Sequence, residues 1–373
     1  MGNVLSGQEY NLEDHGQSDR ALFDEYVADP AKFQDLSSKV VAVTGTSAKS
    51  IGFHIAEVAV RKKAKVLMLC NRDSKSSAEG TSDLKALAKE CSSPTIIETV
   101  TCDLQDLASV KAAAEEINKI AAKYKGLDVL VCNAGVMALK DIRTKDGFDV
   151  QMQTNQLSHF LLIHDVWKSI VNAANNRGEA RVVTHSSSAR ETPKGDLEKD
   201  YFIKSEPGTL GGDGSSLLFQ AAFGKRGNWS RYHQTKLANA NFAMALHDKI
   251  SASSSLRGKI HASSADPGLA TSNLQVTTMK DGGLPSWMGK MLSSSGQSPA
   301  DGSLPVSMCA FGADVKSGSF YMPKQSMKGP PIATVVEGEP VKKGGEKLVV
   351  SPENKEHVWK WCEEVLDIQF EIQ

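Results

Sequence analysis

No run of 18 or more apolar residues occurs in the 373-residue chain, so the sequence predicts no transmembrane helix. Neither charge sign dominates: 43 Lys and Arg stand against 44 Asp and Glu, a net charge of −1. A balanced surface gives no reason to propose a polyanion, and nucleic acid is not expected as a partner. Cysteine is scarce. The six residues Cys70, Cys91, Cys102, Cys132, Cys309 and Cys362 form no C-x-x-C pair and read as free thiols of a reducing compartment. His159, His164, His185 and His233 are scattered without H-E-x-x-H spacing, so no metal site is expected. No apolar secretory segment opens the chain, and Glu9, Glu13 and Asp14 argue against a transit peptide, which leaves a cytoplasmic location as the expectation. Met1-Gly2-Asn3-Val4-Leu5-Ser6 matches the N-myristoylation pattern, with Gly2 as acceptor. One acyl chain without a polybasic patch binds membranes weakly and reversibly, with K on the order of 10⁴ per molar, so any attachment would be peripheral.

What is present is an alternation. Hydrophobic residues make up 40% of the chain, enough for one extended core or two modest domains. Val40-Val41-Ala42-Val43 is a short apolar run ending at Thr44-Gly45, the pattern of a strand buried on both faces. A helix pattern over 51–61, an apolar run over 66–69, a helix over 82–90 and a strand over 95–101 follow. Then come a helix over 107–122, a strand over 128–132, a helix over 149–172 and a strand over 181–185. Such alternation predicts βαβ units and a doubly wound, Rossmann-type parallel sheet with helices on both faces. Ligands of such sheets bind at the carboxyl ends of the strands. Residues 1–37 read as an N-terminal arm with a short helix near Ala21–Val27, residues 38–322 as the sheet domain, and 323–373 as a C-terminal loop and helix packed on it. A polar, Gly-rich insertion over 189–231 holds one apolar patch, Leu217–Phe223. A helix from Tyr232 to about Ile250, a strand near 258–262, a lid over 271–297, a helix over 299–313 and a last helix near 352–368 complete the pattern.

The first strand feeds a Gly-rich turn, Thr44-Gly45-Thr46-Ser47-Ala48-Lys49-Ser50-Ile51-Gly52. Free backbone N–H groups and a helix N-terminus suit a pyrophosphate there. The turn resembles the T-G-x-x-x-G-x-G loop of the short-chain dehydrogenase/reductase family, one residue longer and with Ser50 in place of the middle glycine. The resemblance makes Gly45, Thr46, Lys49, Ser50, Ile51 and Gly52 candidate cofactor contacts. The second strand ends Asn71-Arg72-Asp73. A carboxylate at that place would bind the ribose hydroxyl of NAD, whereas an arginine accepts the extra phosphate of NADP. Arg72, with Lys49 in reach, favours NADP(H) over NAD(H); the other reading is an Arg72–Asp73 surface pair. Asp103 and Leu104 match the family's adenine contact, and Asn133-Ala134-Gly135 its N-N-A-G element, with Cys132 replacing the first Asn.

Tyr232 and Lys236 lie four apart, which on a helix puts them on one face. A nearby ammonium is expected to lower a phenol's pKa, so that it exchanges protons near neutral pH. By the resemblance, Asn155, Ser187, Tyr232 and Lys236 complete the family's catalytic tetrad in its usual chain order. Ser187 would orient the substrate carbonyl, with Ser186 and Ser188 as competing choices. Pro267-Gly268-Leu269-Ala270-Thr271 matches the family's P-G turn, with Pro267, Gly268, Leu269 and Thr271 at the nicotinamide.

Asp146-Gly147-Phe148, the run Asn155–Leu162, the stretch Tyr232–Asn239 and Phe320-Tyr321-Met322-Pro323 are similar to the retinol dehydrogenase/protochlorophyllide reductase-like branch. The resemblance implies an NADP(H)-dependent oxidoreductase moving a hydride to or from a carbonyl or alcohol carbon. Met279, Leu284, Trp287, Met288, Met291 and Leu292 in the lid suggest a hydrophobic substrate. Light-dependent protochlorophyllide reduction and a catalytically silent NADP-binding regulator or scaffold are the alternatives. The family includes dimers and tetramers, and the sequence identifies no interface.

Overall fold

In the computed structural model, residues 19–191, 195–213, 226–270, 278, 296–341 and 344–373 are described. Gly2, Thr271, the patch Leu217–Phe223 and the lid's Met and Trp residues lie outside them. In chain order the elements begin with α1 (Ala21–Ala28), β1 (Val40–Thr44), α2 (Ile51–Arg61), β2 (Val66–Asn71), α3 (Lys75–Glu90), β3 (Ile96–Thr101), α4 (Leu107–Ala122) and β4 (Val129–Cys132). A short α5 (Val150–Met152), a π-helical turn (Gln153–Leu157) and α6 (Ser158–Arg177) lead to β5 (Ala180–His185). Then follow α7 (Asn228–Ala252), β6 (Ile260–Ala265), α8 (Pro299–Phe311), β7 (Phe320–Pro323), β8 (Pro331–Val335), α9 (Gly344–Val349) and α10 (Pro352–Leu366).

The strands form one sheet in the order β3-β2-β1-β4-β5-β6-β7-β8. All neighbours are parallel except β7 and β8. Order reverses between β1 and β4, so a crevice opens at their carboxyl ends. Period-two alternation sends the strand side chains to two separate apolar layers. Val40, Ala42, Val66, Met68 and Leu130 join α4, α6, α7 and α10 on one face. Val41, Val43, Leu67, Leu69 and Val131 join α1, α2 and α8 on the other. The expected doubly wound sheet is therefore the observed one.

Several boundaries differ from expectation. Helix α3 begins at Lys75, seven residues before the expected 82, because Ser74 caps it by accepting the Ser77 N–H. Gly80 inside it is where a Cβ would stand 2.6 Å from the Thr46 carbonyl oxygen. Tyr232 does not open its helix: α7 starts one turn earlier, at Asn228. The strand expected near 258–262 spans Ile260–Ala265. The stretch 323–347, expected as a loop or arm, contains β8 and the start of α9. Residues 20–36, expected as an arm, insert Phe23, Phe33 and Leu36 into the α2–α8 layer. At the other end Trp359 of α10 and Phe370 stack 5.0 Å apart and cover Phe160 of α6. Among the described residues, no helix is long and apolar enough to cross a membrane. No three His, Cys, Asp or Glu side chains there converge to hold a metal ion, and all six cysteines are free thiols.

Candidate active site

The crevice holds a cavity of about 330 Å³ built on the Gly-rich turn. Gly45 has φ +75°, and a Cβ there would sit 2.8 Å from Ala134 Cα and Cβ. At Gly52 a Cβ would meet the Gly45 carbonyl oxygen at 2.1 Å, so α2 can approach the turn only without one. Ser50 has taken a capping role: its hydroxyl accepts the Phe53 N–H at 3.1 Å and donates to the Gly45 carbonyl at 3.4 Å. The extra residue is absorbed by Lys49 in a left-handed conformation, φ 59°.

Of the residues expected at a cofactor, Gly45, Ser50, Ile51, Gly52, Arg72, Asp103, Leu104, Asn133, Ala134 and Gly135 line this cavity. Thr46, Lys49, Tyr232 and Lys236, the last expected to hold the nicotinamide ribose, do not. Thr46 is fully buried, its N–H donating to Asn71 Oδ1 at 2.7 Å and its hydroxyl accepting from Asn71 Nδ2 at 2.8 Å. Lys49 is exposed. Pro267, Gly268 and Leu269 lie beyond the lining, beneath the turn that joins β7 to β8. The Pro267 carbonyl accepts from Gln297 Nε2 and the Leu269 N–H donates to the Met327 carbonyl, both at 2.8 Å.

The two ends of the cavity differ. At one, Arg72 stands exposed among Ser47, Ser74, Ser76 and Ser77, beside the N-terminus of α3. Asp73 forms no ion pair with Arg72 among the described residues and is not part of the lining, which leaves that end rich in hydrogen-bond donors. At the other end the lining is Val136, Met137, Leu139, Thr154 and His185. Asn155, Ser187, Tyr232 and Lys236 are not part of that lining; Asn155 and Lys236 stand behind it, bonded to the backbone of Val136 and His185.

The π-helical turn carries Asn155, whose amide is locked: Oδ1 accepts the Val136 N–H at 2.8 Å, and Nδ2 donates to the Val136 carbonyl and Thr235 Oγ1, both at 2.9 Å. Lys236 Nζ donates to the His185 carbonyl at 2.9 Å and stands 5.8 Å from the centre of the Tyr232 ring. A Cβ on Gly135 would sit 3.1 Å from Asn155 Oδ1 and 3.5 Å from Lys236 Nζ. The three serines differ in their surroundings. Ser186 donates to the Lys236 carbonyl at 2.7 Å, the Ser187 hydroxyl accepts the Ala189 N–H at 3.2 Å and is the one that acts on the Tyr232 phenol, and Ser188 begins a short 3-10 turn.

The expected lowering of the tyrosine pKa is not what this environment produces. Burial pushes the Tyr232 phenol well above its ordinary value, the Ser187 hydrogen bond opposes this, and buried Asp266 adds to it. Burial also pulls Lys236 down to about 8, against the attraction of Asp266. The phenol is thus held protonated at neutral pH, next to an ammonium still mostly charged.

Sequence reasoning passed over three groups here. His185 and His159 are buried imidazoles, and burial lowers both, His159 to about 4. Asp266 is fully buried and paired with buried Arg190 at 3.1 Å. The available signal was adjacency: His185 directly precedes the serine run, and Asp266 directly precedes Pro267. Apolar groups complete the wall, with Trp229 and Ala138 packed on Tyr232 and the Trp229 ring edge-on at 6.0 Å.

Residues 39–196 match the family model of the short chain dehydrogenases. A short-chain dehydrogenase/reductase of Armillaria gallica is 33% identical over 242 residues, 65% of this chain and 68% of that protein. The chain belongs to the short-chain dehydrogenase/reductase family. Another member, drtF of Aspergillus calidoustus, is 28% identical over 90% of this chain and 96% of its own length. Among solved structures, an uncharacterized protein of Mycobacterium paratuberculosis shares the fold, with TM-score 0.60 and 23% identity over 93% of this chain and 98% of its own. In this family member the carboxyl ends of β1, β2, β4 and β5 face the cavity.

Proposed function

We propose that this short-chain dehydrogenase/reductase is an NADP(H)-dependent reductase of apolar carbonyl compounds, with Asn155, Ser187, Tyr232 and Lys236 as its working groups. The observation that carries the reading is a buried Tyr232 phenol with Lys236 Nζ 5.8 Å from its ring and Ser187 acting on its hydroxyl. The fit to a dinucleotide rests on the glycine cradle. Added Cβ atoms at Gly45 and Gly52 would close the turn, and one at Gly135 would crowd Asn155 and Lys236.

NADPH, when bound, supplies the hydride. The chain's own groups do the rest. Ser187 and Tyr232 donate hydrogen bonds to the carbonyl oxygen, and Tyr232 releases its proton as negative charge develops there. The Lys236 ammonium stabilises the phenolate left behind, an interaction made strong by exclusion of water. Asn155 holds the Val136 segment and Thr235, fixing the wall that faces Lys236. A phenol held protonated gives its proton in reduction, and as phenolate the same group takes one in oxidation. Arg72, the neighbouring serines and the α3 N-terminus suit a 2′-phosphate, because each offers hydrogen-bond donors or positive potential to an anion. The apolar wall of Met137, Ala138 and Trp229 beside Tyr232 supports a hydrophobic substrate.

The test is NADPH consumption, followed by absorbance, over aldehydes and ketones of increasing apolar size. A kcat/KM that rises with apolar surface is expected. NADPH binding without consumption on any member of the panel would overturn the catalytic reading.

A further inference from the structure

The tetrad does not use the side chain of His185, yet the residue is 93% buried and lines the cavity, its ring against Asn133 and its carbonyl on Lys236. Its tautomer follows from its neighbours. Asn133 Nδ2 lies 2.9 Å from the Thr44 carbonyl oxygen and 3.2 Å from that of Gly45. Carbonyls only accept, so the amide nitrogen must face them and Oδ1 must face His185. His185 Nδ1, 2.9 Å from that oxygen, therefore carries the proton. Burial and the Lys236 ammonium keep the ring neutral, so Nε2 bears a bare lone pair. Among the described residues no protein donor is recorded on Nε2.

His159 shows the contrasting case. Its Nδ1 meets the Asn155 carbonyl at 3.0 Å and must donate, while its Nε2 is met by Thr44 Oγ1 at 3.0 Å. Both nitrogens are satisfied inside the protein. His185 has one satisfied nitrogen and one acceptor directed to the cavity. An acceptor open to the cavity is available to a donor on whatever occupies it.

We propose that His185 is a cofactor-binding residue: its Nε2 accepts a hydrogen bond from the reacting half of the dinucleotide, a ribose hydroxyl or the carboxamide N–H. The side of the dinucleotide follows from position. The His185 carbonyl holds Lys236, and Ser187 is two residues on, whereas Arg72 and its serines stand at the other end.

This rests on the NADP(H) reading, and the test separates the two. Affinities of the purified full-length chain for NADPH and for 2′,5′-ADP, which lacks the nicotinamide half, are measured by fluorescence and calorimetric titration. His185→Asn keeps a donor toward Asn133 and removes the distal acceptor; His185→Gln restores an acceptor near the Nε2 position. The expectation for His185→Asn is about tenfold weaker NADPH binding, the effect of one hydrogen bond, with 2′,5′-ADP affinity unchanged. His185→Gln is expected to bind NADPH within about threefold of the natural chain, well inside the effect of a full hydrogen bond. Unchanged NADPH affinity in His185→Asn, or equal loss of both ligands in either variant, overturns the role of His185 alone. A natural chain that binds neither ligand overturns the NADP(H) reading and this inference with it.

Discussion

The two ends of the cavity solve opposite problems. At the Arg72 end the groups are exposed and polar, and serine hydroxyls and a helix N-terminus stand ready beside a guanidinium. At the Tyr232 end the ionisable groups are buried, and burial decides their protonation before any partner does: up for Tyr232, down for Lys236 and His185. An exposed end can select its ligand by charge but is screened by salt. A buried end is screened much less, and a change of one group there reaches its neighbours.

The sharpest break of this contrast is Tyr232→Phe. It removes the proton donor and leaves the ring packed on Trp229, so kcat is expected to fall at least about a hundredfold with NADPH affinity preserved. Steady-state turnover and a binding titration on the same sample check both halves. Next comes Arg72→Ser at the open end. Loss of a charge-assisted contact is expected to weaken NADPH roughly 10- to 100-fold and NADH hardly at all. The difference between the two cofactors should shrink as salt is raised, as measured by titration at several ionic strengths.

A third effect is read as a pH profile. The Lys236 ammonium, with its value lowered to about 8, is present below that pH and lost above it. The phenol is raised and stays protonated through the same range. Reduction should therefore hold steady below about pH 8 and then fall by up to about tenfold per unit, as expected for loss of one proton. Lys236→Met, measured over the same range, is expected to flatten that limb. The smallest effect lies outside the cavity. Glu57 is buried on α2; burial raises its carboxyl, but hydrogen bonds from His54 and Arg20 outweigh this and hold it at about 2. Its folded value is depressed, so its contribution is complete above about pH 4.5 and is lost as pH falls toward 2. A fall in Tm of a few degrees between about pH 5 and about pH 3, reduced in Glu57→Gln, is expected by calorimetry without change in NADPH affinity at neutral pH.

The open end was the more legible of the two. Apolar runs such as Val40–Val43 and Val66–Leu69 are buried on both faces, so their strand character is written in continuous hydrophobicity. Gly45 and Arg72 follow the ends of β1 and β2, and Gly52 lies in the first turn of α2, where a parallel sheet must present them. Helix α3 was read seven residues short because serines and Gly80 have weak helix propensity, while its start depends on a single Ser74 cap. Strand β8 escaped because Pro331 opens it and it pairs with β7 alone, leaving half-exposed residues without alternation. At the closed end the chain order of Asn155, Ser187, Tyr232 and Lys236 was visible, but their electrostatics were not. The direction of the Tyr232 shift, the Asp266–Arg190 pair and the orientation of His185 all depend on burial by segments distant in sequence. No local pattern carries that information.

The central claim is that the phenol of Tyr232 and the nicotinamide share the closed end of one cavity. A crystal structure of the protein with NADPH measures this directly. The account predicts the nicotinamide C4 facing the Tyr232 hydroxyl, with room for a carbonyl between them, and the 2′-phosphate against Arg72. A nicotinamide lying outside that end, or a Tyr232 hydroxyl turned away from it, would contradict the account.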